Sequence, residues 1–250
     1  MKKHIPNLIT CLNVISGTLS IFMVMYDRIE LAAALIIVAM VFDFFDGMAA
    51  RLLHVKSEMG KELDSLADMV SFGVAPAILA HFLIKMTLFA GVPGDLQDLP
   101  VSQQVLLFSP LLIPAFSAYR LAKFNLDPRQ SMSFIGMPTP ANALFWVGLV
   151  FGFFYAPDLY ITLFDSVWTL VLSVVILSIL LICEVPMFSL KITGFGWKEN
   201  KVRYCFLGSV ILFSLLFGKA MIMCIIPLYI LFAVGEALWK AVTTTTRLGR

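Results

Sequence analysis

The sequence reads as an all-α integral membrane protein. About eight transmembrane helices are expected, a six-helix core plus a C-terminal pair, with both termini cytoplasmic. Three observations carry this reading. Of the 250 residues, 60% are apolar and 14% charged, where soluble domains carry about 25% charged residues. Apolar runs near the ~20 residues that span a bilayer recur along the chain. If those runs alternate direction, fifteen of the eighteen Lys and Arg residues fall on one side, the asymmetry of cytoplasmic loops.

The spans are expected at about 7–26, 30–52, 61–90, 105–124, 139–156, 165–187, 204–218 and 220–240. The first follows Met1-Lys2-Lys3-His4 and mimics a secretory signal. It has no small-x-small cleavage site near Tyr26, and Asn7, Thr10 and Asn13 interrupt its apolar core, so it is read as a span. The last two are short and separated only by Gly218-Lys219, which also allows a tilted hairpin. The inside segments hold Lys2 and Lys3, then Arg51, Lys56 and Lys61, then Arg120, Lys123 and Arg129, then the basic residues of 188–203 and the C-terminal tail. Only Arg28, Lys85 and Lys219 fall outside. No connection is long enough to fold alone, so residues 1–250 are read as one membrane domain, with a catalytic core at about 1–187 and a helical pair at about 204–240. Cys11, Cys183, Cys205 and Cys224 lie in or beside apolar runs and form no Cys-x-x-Cys pair, so no disulfide framework is implied. A net charge of +2 gives no reason to expect a nucleic-acid partner.

The chain is organised around Asp43–Asp68. Asp43, Asp46, Gly47 and Ala50 fall at i, i+3, i+4 and i+7 and share one helix face, flanked by Arg51. Gly60, Asp64 and Asp68 fall at i, i+4 and i+8 on the next helix. At roughly 2.5–3.5 kcal/mol for a charge at a helix centre in lipid, four unpaired carboxylates could cost about 10–14 kcal/mol. Packed face to face, the helices would gather them around one point, where hard oxygen ligands suit Mg²⁺ or Mn²⁺, with Ca²⁺ a further candidate. Four carboxylates suffice for two ions. Such sites serve phosphate chemistry, clamping the attacking and leaving oxygens. Arg51 can fork to a phosphate oxygen. No Ser-His-Asp or Cys-His set is evident, so direct attack by a substrate hydroxyl is expected, with Asp68 as general base. An aspartate-lined ion transporter is the alternative of a different class.

The pattern Asp43-x-x-Asp46-Gly47-x-x-Ala50-Arg51, eight residues, Gly60-x-x-x-Asp64-x-x-x-Asp68 resembles the signature of the CDP-alcohol phosphatidyltransferase family. The resemblance implies a membrane enzyme that takes CDP-diacylglycerol and a small alcohol and releases CMP. It implies a two-metal site of Asp43, Asp46, Asp64 and Asp68 and a homodimer. It also implies CDP-lipid contacts from Gly47, Ala50, Arg51, Ser57 and Gly60, and from the element Asn7-Leu8-Ile9-Thr10. Arg120-Leu-Ala-Lys123-Phe-Asn125 and Phe134-Ile-Gly136-Met-Pro138-Thr-Pro140 are similar to the phosphatidylserine synthase branch, with Lys123 and Met137 where the branch usually has Arg and Leu. L-Serine is therefore the acceptor implied, with Arg120, Lys123 and Asn125 as its contacts. Arg120 can hold a carboxylate, and Asn125 offers a donor and an acceptor. Glycerol 3-phosphate, inositol or an inositol phosphate is the alternative acceptor. The site is expected at the cytoplasmic face of the inner membrane. Gly148-x-x-x-Gly152 is a small-residue packing motif of the kind that joins membrane helices.

Overall fold

A computed structural model describes residues 4–55, 57–92, 94–127, 134–187, 197–218 and 221–248. Of the residues behind the orientation argument, Lys2, Lys3, Lys56, Arg129, Lys191, Lys219 and Arg250 lie outside these.

The chain opens with α1 (His4–Met25) and α2 (Ile29–Leu52). Their pairing is the inverse of a soluble hairpin. The buried residues of α1 are Pro6, Thr10, Asn13, Ser16, Gly17 and Ser20, while Leu8, Ile15 and Phe22 are exposed. Small and polar residues suit a helix-helix interface in lipid because they admit close backbone approach and interhelical hydrogen bonds. Ser20 makes such a bond, its Oγ donating to the Ala32 carbonyl at 2.8 Å. A short turn, with His54 at φ 52°, leads to α3 (Glu58–Asp68).

The expected third span is not a uniform α-helix. α3 runs into a π-helical segment, Met69–Val74, and then α4 (Ala75–Leu88). The π-segment is seated against α1. Ser71 Oγ donates to the Asn13 carbonyl at 3.0 Å, and a Cβ on Gly17 would fall on Ser71, so only glycine allows this approach. The fourth expected span comprises α5 (Val101–Leu107), a 3₁₀ turn at Ser109–Leu111 and α6 (Leu112–Leu126).

Phe134–Ile135 (β1) pairs antiparallel with Pro186–Met187 (β2), Phe134 opposite Met187. This two-residue ladder ties the entrance of α7 (Thr139–Tyr155) to the exit of α9 (Val167–Ile182). Gly136 sits between them at φ 77°, where a Cβ would come within 2.7 Å of the Leu181 carbonyl. α7 is the central helix, with Trp146, Val147 and Leu149 fully enclosed. The expected loop 156–165 contains α8 (Pro157–Phe164), started by Pro157 with Asp158 in its first turn. It meets α9 at 79°. α10 (Trp197–Phe217), kinked at Asn200, and α11 (Met221–Leu248) complete the fold.

Gly148 and Gly152 are used within the chain. A Cβ on Gly148 would lie 2.8 Å from the Ile222 carbonyl, and one on Gly152 would strike Met223, so this face of α7 seats α11. Among the described residues, four helical stretches are long and apolar enough to cross a membrane: His4–Met25, Ile29–Leu52, Glu58–Leu88 and Val101–Leu126. The bent pair α8–α9 raises this to five, and α7 and Met221–Glu236 are shorter apolar helices. Among the described residues the protein is thus an all-helical membrane protein apart from one two-residue ladder.

Candidate active site

Asp43 and Asp46 stand on the last turns of α2, Asp64 and Asp68 on α3. Ligand oxygens of Asp43, Asp64 and Asp68 all lie within 4.8 Å of one another. Asp46 lies outside that trio but lines, with Asp64, a cavity of about 350 Å³. Asp64 therefore joins the cluster to the cavity. Asp46 is 6% exposed, and Thr10 lines the same cavity, its Oγ1 donating to the Pro6 carbonyl at 3.0 Å. Asp46 Oδ2 and Asp68 Oδ1 are buried and have no hydrogen-bond partner among the described residues. Buried carboxylate oxygens without partners are costly. A group of acid oxygens converging this closely, with lone pairs unused, could hold a hard divalent cation.

The cavity opens between the start of α1, the end of α2 and the start of α3. Its walls include Asn7, Thr10, Gly47, Ala50, Ser57 and Gly60, all expected from the sequence. Gly60 allows α1 to come close, since a Cβ there would meet Asn7 Oδ1 at 3.2 Å. Around Gly47 there is room, the nearest atom to a Cβ being an Arg51 nitrogen at 3.7 Å. Leu8 and Ile9 do not line the cavity, and Leu8 is 65% exposed. Their place on the far face of α1 follows from the helical period that brings Asn7 and Thr10 together. Arg51 is also absent from the wall; its Nε donates to the Gly47 carbonyl at 2.9 Å. Ser57 is the N-cap of α3, its Oγ accepting from Gly60 N at 3.3 Å.

The wall also contains Pro6, Val55, Glu58 and Lys61, which the motif reading passed over. Lys61 had a legible signal, standing three residues before Asp64. Its Nζ donates to the Asn125 carbonyl at 2.9 Å.

The expected acceptor contacts lie on α6. Arg120 is 7% exposed and close enough to Asp68 for the charges to attract. Its Nη1 donates to Thr139 Oγ1 at 3.4 Å, its guanidinium lies 5.3 Å over the Phe124 ring, and its Nε has no partner among the described residues. Lys123 pairs with Glu184 at 3.2 Å. Asn125 donates through Nδ2 to Ser65 Oγ at 2.8 Å. The structure thus brings Arg120 to the aspartates and engages Lys123 and Asn125 with neighbouring elements.

Several curated relatives are similar to this chain. A Bacillus subtilis (strain 168) CDP-diacylglycerol–serine O-phosphatidyltransferase is 40% identical over 158 residues, 63% of this chain and 80% of that protein. Proteins of the same name from Helicobacter pylori (strain ATCC 700392 / 26695) and Mycobacterium leprae (strain TN) are 36% identical over 141 residues and 35% over 195. Those matches cover 56% and 73% of this chain but 54% and 57% of the relatives, little more than half their length. The profile of the CDP-alcohol phosphatidyltransferases matches residues 3–185, a stretch that contains all four aspartates, the cavity wall and Arg120. The chain belongs to the CDP-alcohol phosphatidyltransferase family.

Proposed function

We propose that the protein transfers the phosphatidyl group of CDP-diacylglycerol to the hydroxyl of L-serine, giving phosphatidylserine and CMP. The observation that carries this reading is the convergence of Asp43, Asp64 and Asp68 beside the cavity lined by Asp46 and Asp64. The acceptor is taken from the names of the relatives.

In this reading Asp43, Asp46, Asp64 and Asp68 hold two divalent cations, Mg²⁺ or Mn²⁺. Bound there, the ions supply charge neutralisation for the diphosphate and for the CMP that departs. The rest falls to the chain's own groups. Asn7 and Thr10 offer hydrogen bonds to the nucleotide, and Gly47, Ala50 and Gly60 leave it room. Ser57 holds the start of α3 in place, Arg51 stands at the rim as a donor for a phosphate oxygen, and Leu8 and Ile9 support this edge from the lipid side. Arg120 receives the serine carboxylate; Lys123 and Asn125 follow on the same helix. Asp68 accepts the hydroxyl proton, the serine oxygen bonds to the phosphorus that carries diacylglycerol, and the bond from that phosphorus to CMP breaks.

Residues 1–250 act as one membrane domain, with a catalytic core at about 1–187 and a C-terminal pair at about 204–240. The site faces the cytoplasm from the inner membrane, with eight spans, both termini inside, and a homodimer as the working unit. Supporting this orientation, the loop joining α2 to α3 belongs to the basic side.

The test is purified protein in detergent-lipid micelles with CDP-diacylglycerol, Mn²⁺ and labelled serine. Labelled phosphatidylserine with stoichiometric CMP is expected from wild type and none above background from Asp64→Asn. If CMP appears only with glycerol 3-phosphate or inositol, the acceptor is wrong. Cation flux across sealed vesicles that needs no CDP-lipid, with no transfer to any alcohol, would overturn the enzyme itself.

A further inference from the structure

α3 carries Asp64 and Asp68, and its hold on the rest of the protein is unusual. Five of its eleven residues are charged, and only Ala67 among them is buried. Its own apolar packing is slight, although α1 approaches at Gly60 and α3 continues without a break into the buried π-segment. Yet α3 must hold its carboxylates in a fixed relation to Arg120 on α6, more than fifty positions further along the chain.

A ring of three hydrogen bonds links α3 to α6. Asn125 Nδ2 donates to Ser65 Oγ at 2.8 Å. Ser65 Oγ donates to the Lys61 carbonyl at 3.2 Å. Lys61 Nζ returns to the Asn125 carbonyl at 2.9 Å. The roles are consistent, since one hydroxyl can accept and donate at once. The Asn125 carbonyl is among the last of α6, where the helix has no donor of its own and the dipole is negative, so an ammonium is well placed there. On α3, Ser65 is next to Asp64, and Lys61 shares the cavity wall with it. The ring thus joins the helix that bears the acids to the end of the helix that bears the buried arginine.

We infer that Asn125 is a positioning residue: through Ser65 and Lys61 it fixes α3, and with it Asp64 and Asp68, against α6. This departs from the direct acceptor contact that family resemblance suggests for Asn125, and it rests on the proposed transfer reaction.

The test uses the full-length protein with Asn125→Ala, Ser65→Ala, their double variant and Ser65→Thr. Turnover and Mn²⁺ affinity, the latter by electron paramagnetic resonance, are measured on each. Asn125→Ala and Ser65→Ala are each expected to lower kcat about tenfold and to weaken Mn²⁺ binding, with the KM for serine within about twofold of wild type. The double variant is expected to be no worse than either single one, because the two residues share one bond. Ser65→Thr keeps the oxygen and restores both quantities. A serine KM raised tenfold or more by Asn125→Ala, with kcat and Mn²⁺ affinity unchanged, overturns the inference in favour of direct contact. So does a silent Ser65→Ala. If wild type makes no phosphatidylserine, the reaction assignment has failed, and Mn²⁺ affinity across the same four variants still decides the role of Asn125.

Discussion

Asp64 belongs both to the acidic trio and to the cavity wall, whereas Asp46 belongs to the wall alone. The two positions should therefore respond differently to neutralisation. Asp64→Asn removes a ligand from the cluster and a charge from the wall, and a loss of several kcal/mol of electrostatic stabilisation corresponds to a drop in kcat on the order of 10³-fold. Asp46→Asn leaves the trio intact. It is expected to keep one Mn²⁺ binding event in a titration where wild type shows two. The aspartates were legible in the sequence because a helix converts fixed offsets into a shared face, so Asp43 and Asp46 needed no tertiary information. The same periodicity sent Leu8 away from Thr10. The partners of Arg120, Lys123 and Asn125 were not legible. Thr139, Glu184 and Ser65 meet them only after distant helices pack, and no local spacing encodes that meeting.

At the scale of elements, the segment after Asp68 departs most from what periodicity shows. The residues of Met69–Val74 are compatible with an α-helix, and the wider π turns go with contacts to α1 at Ser71, Asn13 and Gly17. Such turns frequently mark functional sites, and here they begin at the residue after the proposed base. The start of α3 is simpler, since Ser57 is a cap whose signal is local. Ser57→Ala is expected to destabilise the protein by about 1 kcal/mol, read as a lower midpoint in thermal unfolding in detergent. Gly17→Leu attacks the other end of the arrangement. No rotamer relieves a Cβ that falls on Ser71, so overpacking of ~1–3 kcal/mol or more is expected, with α1 displaced from the π-segment. Crosslinking between cysteines placed at Asn13 and Ser71 would report that displacement as a loss of yield.

Across the whole molecule, the inside-out character of α1 and the enclosed polar residues mark a chain folded with lipid as solvent. Its composition made that plain. The number of crossings is less direct, because α8 occupies what composition read as a loop and α8–α9 bends by 79°. Orientation has its own test. A cysteine at His54 should react with an impermeant maleimide from the cytoplasmic side, and one at Asp95 from the opposite side. The Gly148–Gly152 motif shows how a correct local signal can leave its partner open, because small residues on a helix say that something packs there but not what. The occupant is α11, held at Ile222 and Met223.

That occupancy has a consequence for how the protein is made. The four aspartates and the cavity wall are complete once α3 has left the ribosome, but the notch on α7 stays bare until α11 follows it into the bilayer. During translation, a chain that has reached α10 therefore carries all four aspartates and an open seam at the same time. Ribosomal stalling before Ile222 would leave that seam for a foreign helix to fill.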